Sequence, residues 1–142
     1  MNFCGVHKHT LDAKNRLSIP APFRAGLGES FVVFSIPGND KCLFCLSQDG
    51  WADFIAKSRD KTDDVMTRKL QRRLAAGGLM AALDKQGRIT LTQEQVDKAF
   101  LKKDVLIVGI DNRVEIWDPE LFQADVDEVE DSDFDDYGLA LG

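Results

Sequence analysis

"LDAKNRLSIP" at residues 11–20 returns as "LDKQGRITLT" at residues 83–92, 72 positions later. Each copy reads Leu, Asp, two residues, a turn former, Arg, then alternating apolar and polar residues. The likeness runs on. "LSIPAPFRAGLG" leads to the apolar run "SFVVFSI" and then "GNDKCLFCLS"; "ITLTQEQVDKAFLKK" leads to "DVLIVGI" and then "DNRVEIWD". Gly38-Asn39-Asp40-Lys41 answers Gly109-Ile110-Asp111-Asn112 at an offset of 71. A repeat of this kind is one supersecondary unit written twice. Each half reads strand, charged turn, strand, short helix, strand, turn, strand.

Local chemistry supports that order. Arg16–Ile19 and Arg88–Leu91 alternate polar and apolar, the period of a half-buried strand. Pro20 and Pro22 stop the first such strand and let a short helix open. Thr92 and Gln95 form a capping box ahead of Val96, Ala99 and Phe100. "FVVF" and "VLIV" are continuous apolar runs, as in strands buried on both faces. Gly38-Asn39-Asp40 and Asp111-Asn112 carry hairpin-turn chemistry.

Between the halves a helical stretch is expected. Ser47 can cap a helix with Trp51, Phe54 and Ile55 on one face; Thr62 can cap a second with Met66, Leu70 and Leu74 at successive turns, ended by Gly77-Gly78. Arg68, Lys69, Arg72 and Arg73 give that second helix a basic face, solvated or set against phosphate. A last helix carries Leu121, Phe122, Val126 and Val129. The expected division is 5–48 for the first repeat, 49–78 for a helical connector, 79–123 for the second repeat and 124–142 for an acidic, disordered tail. Neither half is large enough to bury an adequate core alone. The two are expected to interleave their strands into one pseudo-two-fold barrel, an α+β, mainly β fold.

Charge is unevenly spread. The chain has 142 residues, 44% of them hydrophobic, and a net charge of −6. Residues 124–142 hold eight acids and no base, so the first 123 residues carry 16 acids against 18 bases, a net of +2. The tail is expected to be a solubilising appendage; the alternatives are that its carboxylates compete with phosphate for the basic body or bind a basic partner. No run approaches the ~20 apolar residues of a membrane span. The start of the chain lacks a signal-peptide pattern, so the expected compartment is the cytoplasm.

The charged turns carry the chemistry. Gly87 suits a positive-φ position, and Asn15 is the next most tolerant residue there. Asp12 and Asp84 can accept turn N–H groups or hold the Arg four residues on. Arg16 and Arg88 offer forks that match guanine; Lys14 and Lys85 suit phosphate or guanine; Asn15 and Gln86 are amides able to read adenine. A single turn of this kind is usually only structural; two copies in the same context shift the balance toward function.

Other chemistries fit less well. Cys42 and Cys45 form a C-x-x-C, but on a strand they point to opposite faces and cannot share a zinc. Asp12 and Asp84 could be read as a carboxylate dyad, yet each Asp is followed by Lys and Arg, which hold it ionised. No nucleophile elbow, phosphate loop or dinucleotide fingerprint occurs. No catalytic role, cofactor, metal or small-molecule substrate is expected. The alternative is a structural oligomer or protein-binding module whose basic loops dock an acidic protein.

"HTLDAKNRLSIPAPFR", "LDKQGRITL" and "VLIVGIDNRVEIWD" resemble the MraZ family over roughly residues 1–123. These are bacterial transcription regulators built from two tandem SpoVT-AbrB-type domains. The resemblance implies a swapped-hairpin barrel, assembly into a ring-shaped homo-oligomer, and binding to direct repeats of double-stranded DNA upstream of the division and cell-wall gene cluster. The family's Asp-x-x-x-Arg motif falls on Asp12 and Arg16, and again on Asp84 and Arg88. The candidate DNA-contacting set is therefore Asp12, Lys14, Asn15 and Arg16 with Asp84, Lys85, Gln86, Gly87 and Arg88. The chain departs from the pattern in three places: Asn15 stands for the usual Gly, Thr92 for a frequent Pro, and the tail is more acidic.

Overall fold

A computed structural model describes residues 2–38, 40–61 and 64–139. Both halves run in the expected order. The first comprises β1 (Phe3–Thr10), β2 (Arg16–Ser18), α1 (Ala21–Leu27), β3 (Ser30–Phe34) and β4 (Leu43–Ser47). After α2 (Gln48–Lys61) and α3 (Val65–Ala76), the second comprises β5 (Leu79–Ala82), β6 (Arg88–Thr90), α4 (Gln93–Lys98), β7 (Asp104–Asp111) and β8 (Arg113–Trp117). The chain continues through α5 (Pro119–Asp127) and α6 (Asp131–Asp136).

The halves are interleaved. All strand pairs are antiparallel, and the main sheet has the order β1-β7-β8-β4-β3-β5. The first strand of each half therefore pairs with the third strand of the other: β1 with β7, and β5 with β3. The second strands pair with each other as a separate ribbon, Arg16 opposite Thr90, Leu17 opposite Ile89 and Ser18 opposite Arg88. The two halves also meet at the middle of the large sheet, where Phe44 of β4 stands opposite Glu115 of β8. This is the expected α+β, mainly β pseudo-two-fold arrangement. The hydrogen-bonded sheet itself stays open, with β1 and β5 as its edges. Each edge strand instead leads through a charged turn into the ribbon.

The apolar runs are explained by burial on both faces. Phe31, Val33, Leu43, Cys45, Val105, Ile107, Val114 and Ile116 face an inner core with Leu17 and Ile89 of the ribbon, Phe23 and Leu27 of α1, and Val96 of α4. Alternate residues Val32, Phe34, Phe44, Leu46, Val108 and Trp117 face an outer core. Trp51 and Phe54 of α2, Leu74 of α3, and Leu121 and Phe122 of α5 cover it. Phe34 anchors an aromatic group there, 4.9 Å from Trp51 and 5.6 Å from Phe54 between ring centroids.

Glu115, beside Trp117 of the outer core, is a buried charged residue. Its carboxylate accepts from Arg113 Nε at 2.8 Å and from the Trp117 indole N–H at 2.9 Å, so the buried charge is both paired and hydrogen-bonded. Cys42 and Cys45 lie in different clusters, on opposite sides of the sheet, and burial pushes both thiols well above their usual range. They behave as small hydrophobes.

Helix ends follow the sequence closely. Ser47 Oγ accepts from Gly50 N at 3.0 Å, capping α2, and Thr92 with Gln95 makes a reciprocal capping box on α4. Thr62, expected to cap α3, lies outside the described residues, as does Asn39 of the β3–β4 turn. Asp64 caps α3, accepting from Thr67 N at 2.8 Å. Met66 and Leu70, expected on a core-facing stripe with Leu74, are exposed; only Leu74 reaches the outer core. In the segment expected to be disordered, α5 continues to Asp127 and α6 spans Asp131–Asp136, with no helix at 128–130 or 137–139. Asp118 caps α5, accepting from Leu121 N at 3.1 Å, and at the start of α6 Asp133 Oδ2 accepts from Glu130 N at 2.8 Å. Among the described residues, no helix is long and apolar enough to cross a membrane.

Candidate nucleic-acid interface

The two charged turns have the same bonding, atom for atom. In the first, Asp12 Oδ1 accepts from Lys14 N at 2.9 Å and Arg16 N at 2.8 Å, and Oδ2 accepts from Arg16 Nε at 2.7 Å. In the second, Asp84 Oδ1 accepts from Gln86 N and Arg88 N, both at 2.9 Å, and Oδ2 accepts from Arg88 Nε at 3.0 Å. Asn15 N donates to the Asp12 carbonyl and Gly87 N to the Asp84 carbonyl, each at 3.0 Å. Asn15 and Gly87 have φ of 59° and 74°, the left-handed conformation that the sequence requires of them.

Asp is thus the keystone of each turn. One carboxylate satisfies two backbone donors and fixes the guanidinium four residues on. Those bonds hold both carboxyls below the usual carboxylate range, the Arg backbone N–H contributing most at each site. A group held ionised in this way positions its neighbours and is unsuited to acid catalysis.

The ribbon sets the turns in relation to each other. Leu17 and Ile89 point inward and are buried, so Arg16, Ser18, Arg88 and Thr90 share the outward face. Arg16 faces Thr90 and Arg88 faces Ser18, which makes the two arginines diagonal neighbours, about 7–8 Å apart at the backbone. Crossed backbone bonds lock the turns to the ribbon: Ile19 N to the Gly87 carbonyl at 2.9 Å, and Leu91 N to the Asn15 carbonyl at 2.8 Å. Each arginine is tied through Nε, and no bond within the described residues uses its outer guanidinium nitrogens. Lys14, Lys85 and Gln86 are exposed around the pair.

Seven of the nine sequence candidates present a polar side chain on or beside this face. Gly87 serves by its backbone and is buried; Asn15 is half-buried, its side chain donating to Gln93 Oε1 at 3.2 Å. Two neighbours join them to which the sequence alone does not point: Gln93, and Arg24 of α1. Arg24 Nε donates to the Ile19 carbonyl at 2.7 Å, and its guanidinium covers Gly87. Arg24 adds a positive charge to the turn of the opposite half. Its sequence neighbours give no sign of this, because only the strand exchange brings α1 of the first half to the second turn. At the corresponding place by the repeat offset stands Val96, which has no guanidinium. A Cβ at 87 would require the Arg24 guanidinium to shift, in addition to the left-handed φ that both turns share.

Among the described residues, no group of three or more His, Cys, Asp or Glu is placed to hold a metal ion.

Comparison with known proteins points one way. A family model described as "MraZ protein, putative antitoxin-like" matches twice, over residues 2–73 and 74–137. A protein of Acetivibrio thermocellus named transcriptional regulator MraZ is 41% identical over 123 residues, covering 86% of this chain and 85% of its own. One of the same name from Lachnoclostridium phytofermentans is 35% identical over 143 residues, covering 98% and 99%. Another, from Natranaerobius thermophilus, is 42% identical over 122 residues, covering 83% and 82%.

Proposed function

The chain belongs to the MraZ family, whose named members are transcriptional regulators and not enzymes, and from that premise we propose that its β2–β6 ribbon is a sequence reader for double-stranded DNA. The ribbon and its two Asp-x-x-x-Arg turns engage direct repeats in the promoter region of the division and cell-wall gene cluster, in the cytoplasm and on the nucleoid.

The observation that carries this reading is the diagonal placement of Arg16 and Arg88 on the outward face of the ribbon, each fixed by its own aspartate. A two-stranded ribbon fits the major groove, which is about 12 Å wide. Arg forks there match the O6/N7 edge of guanine, while Lys14 and Lys85 meet phosphate. Pre-fixing the forks by Asp12 and Asp84 lowers the entropy lost on binding.

One ribbon carries few charges, and specific regulators need more. A ring-shaped homo-oligomer supplies them: once one ribbon is bound, the next binds as an intramolecular event. Direct repeats spaced by about one helical turn present successive major grooves on the same side of the duplex. No cofactor or small-molecule substrate enters this mechanism.

The test is selection of bound sequences from randomised duplex DNA at near-physiological salt, followed by the double variant Arg16→Ala/Arg88→Ala. The expected result is a tandemly repeated, guanine-containing element, lost to the double variant at unchanged subunit number. Wild-type binding by the double variant would overturn the reader assignment. Absence of any sequence preference would move the partner search to acidic proteins.

A further inference from the structure

Each half ends in a strand whose last or next residue caps a helix: Ser47 after β4 for α2, and Asp118 after β8 for α5. Each of those helices is followed by another. By this logic α3 and α6 hold corresponding places in the two halves, and they have opposite chemistry. α3 contains Arg68, Lys69, Arg72 and Arg73 and no acid. The segment around α6 contains eight acids from Asp125 to Asp136 and no base.

Both also carry apolar side chains that nothing among the described residues covers. Met66 and Leu70 continue the stripe that Leu74 begins, but run beyond the sheet and are 60% and 61% exposed. Phe134, Tyr137 and Leu139 are 50%, 80% and 68% exposed, and with Val129 they line a shallow hollow of about 310 Å³. Uncovered apolar groups gathered in this way mark interaction surfaces. The two patches do not cover each other within one chain. α3 runs into β5, an edge of the main sheet, whereas α5 is anchored over β7 and β8 through Phe122, 5.6 Å from Trp117.

We propose that the acidic C-terminal segment, residues 124–139, docks on α3 of a second copy of this chain. Phe134 and Tyr137 cover Met66 and Leu70, and the surrounding carboxylates face Lys69, Arg72 and Arg73. The contact is heterologous, each copy giving its tail to one neighbour and its α3 to the other, so it propagates and can close a ring. In this respect it rests on the ring-shaped oligomer proposed above. It also gives the tail's charge a destination away from the DNA-reading ribbon.

Charge reversal in the full-length protein tests it, with native mass spectrometry reading subunit number and circular dichroism confirming folding. Arg72→Glu/Arg73→Glu removes the net positive charge of α3 and sets two glutamates against the acidic tail; Asp135→Lys/Asp136→Lys halves the tail's net negative charge and sets two lysines against α3. Each variant alone should dissociate about tenfold more readily, as like charges replace opposite ones. An equimolar mixture should reassemble, because each variant then offers its neighbour the opposite charge; so should a chain with both changes. Unchanged assembly of the single variants would overturn the contact. Recovery by the doubly changed chain but not by the mixture would place the contact within one chain and overturn the docking. So would loss of DNA retention by the α3 variant at unchanged subunit number, which would make α3 a phosphate contact. A wild-type chain found monomeric would remove the ring reading itself; a wild-type ring indifferent to these changes would remove only this contact.

Discussion

Arg24 of the first half lies so close over Gly87 of the second that a Cβ on Gly87 would fall within its guanidinium group. Gly87 also has φ of 74°, where an L-residue is strained by about 1–2 kcal/mol. Gly87→Ala should therefore lower stability by about 1–3 kcal/mol from strain and clash together. Arg24→Ala in the same chain should recover the clash and leave the strain. Urea unfolding at one protein concentration, analysed as a double-mutant cycle, reads the coupling. Strict additivity would show that Arg24 moves aside at no cost.

The same turns predict a defined acid limb. Asp12 and Asp84 titrate below the usual carboxylate range when folded, because the Arg16 and Arg88 N–H groups and guanidiniums hold the charged form. A depressed carboxyl pKa contributes stability above the unfolded value, near ~3.9, and loses it as pH falls through the folded value. The stability difference between wild type and Asp12→Asn/Asp84→Asn should thus be flat above about pH 5 and shrink below about pH 4. A difference that grew on acidification would contradict the bonding described.

Arginine and lysine should separate in DNA binding. Arg16→Lys and Arg88→Lys keep charge but lose the planar fork and the Nε bond to Asp, so each should cost about 1–3 kcal/mol on the preferred sequence and relax discrimination there. Lys14→Ala and Lys85→Ala should weaken binding alike on all sequences and reduce the salt slope by about 1 each. Fluorescence anisotropy at several salt concentrations, on specific and scrambled duplexes, distinguishes the two patterns. Equal behaviour of all four variants would mean that the arginines touch only phosphate.

Local structure is legible in the sequence where one residue decides it. Asn15 and Gly87 mark their turns, Thr92 and Gln95 their capping box, and Ser47 its helix, because each acts within four residues. Partners of a strand are not encoded locally. "FVVF" announces burial on both faces but not that β3 pairs with β5 of the other half. Arg24 is silent in the sequence for that reason, since its role exists only across the exchange. Met66 and Leu70 mislead for a different one. Their spacing is that of a buried stripe, and periodicity cannot tell burial within a chain from burial against another surface.

The exchange of strands predicts how the halves behave apart. A fragment of residues 1–78 has β1 without β7 and β2 without β6; a fragment of residues 79–142 has β5 without β3. Leu17 and Ile89, which face each other across the ribbon and are fully buried, would each return to water at about 1.5–3 kcal/mol. Neither fragment should fold as a monomer. Mixed at micromolar concentration, the two should form a one-to-one complex with recovered sheet signal in circular dichroism, steepening with concentration as association requires. A fragment that folds alone should do so only as a pair, each copy lending its first strand to the other. A monomeric half with a cooperative unfolding transition would show that the core is divided between the repeats, not shared by them.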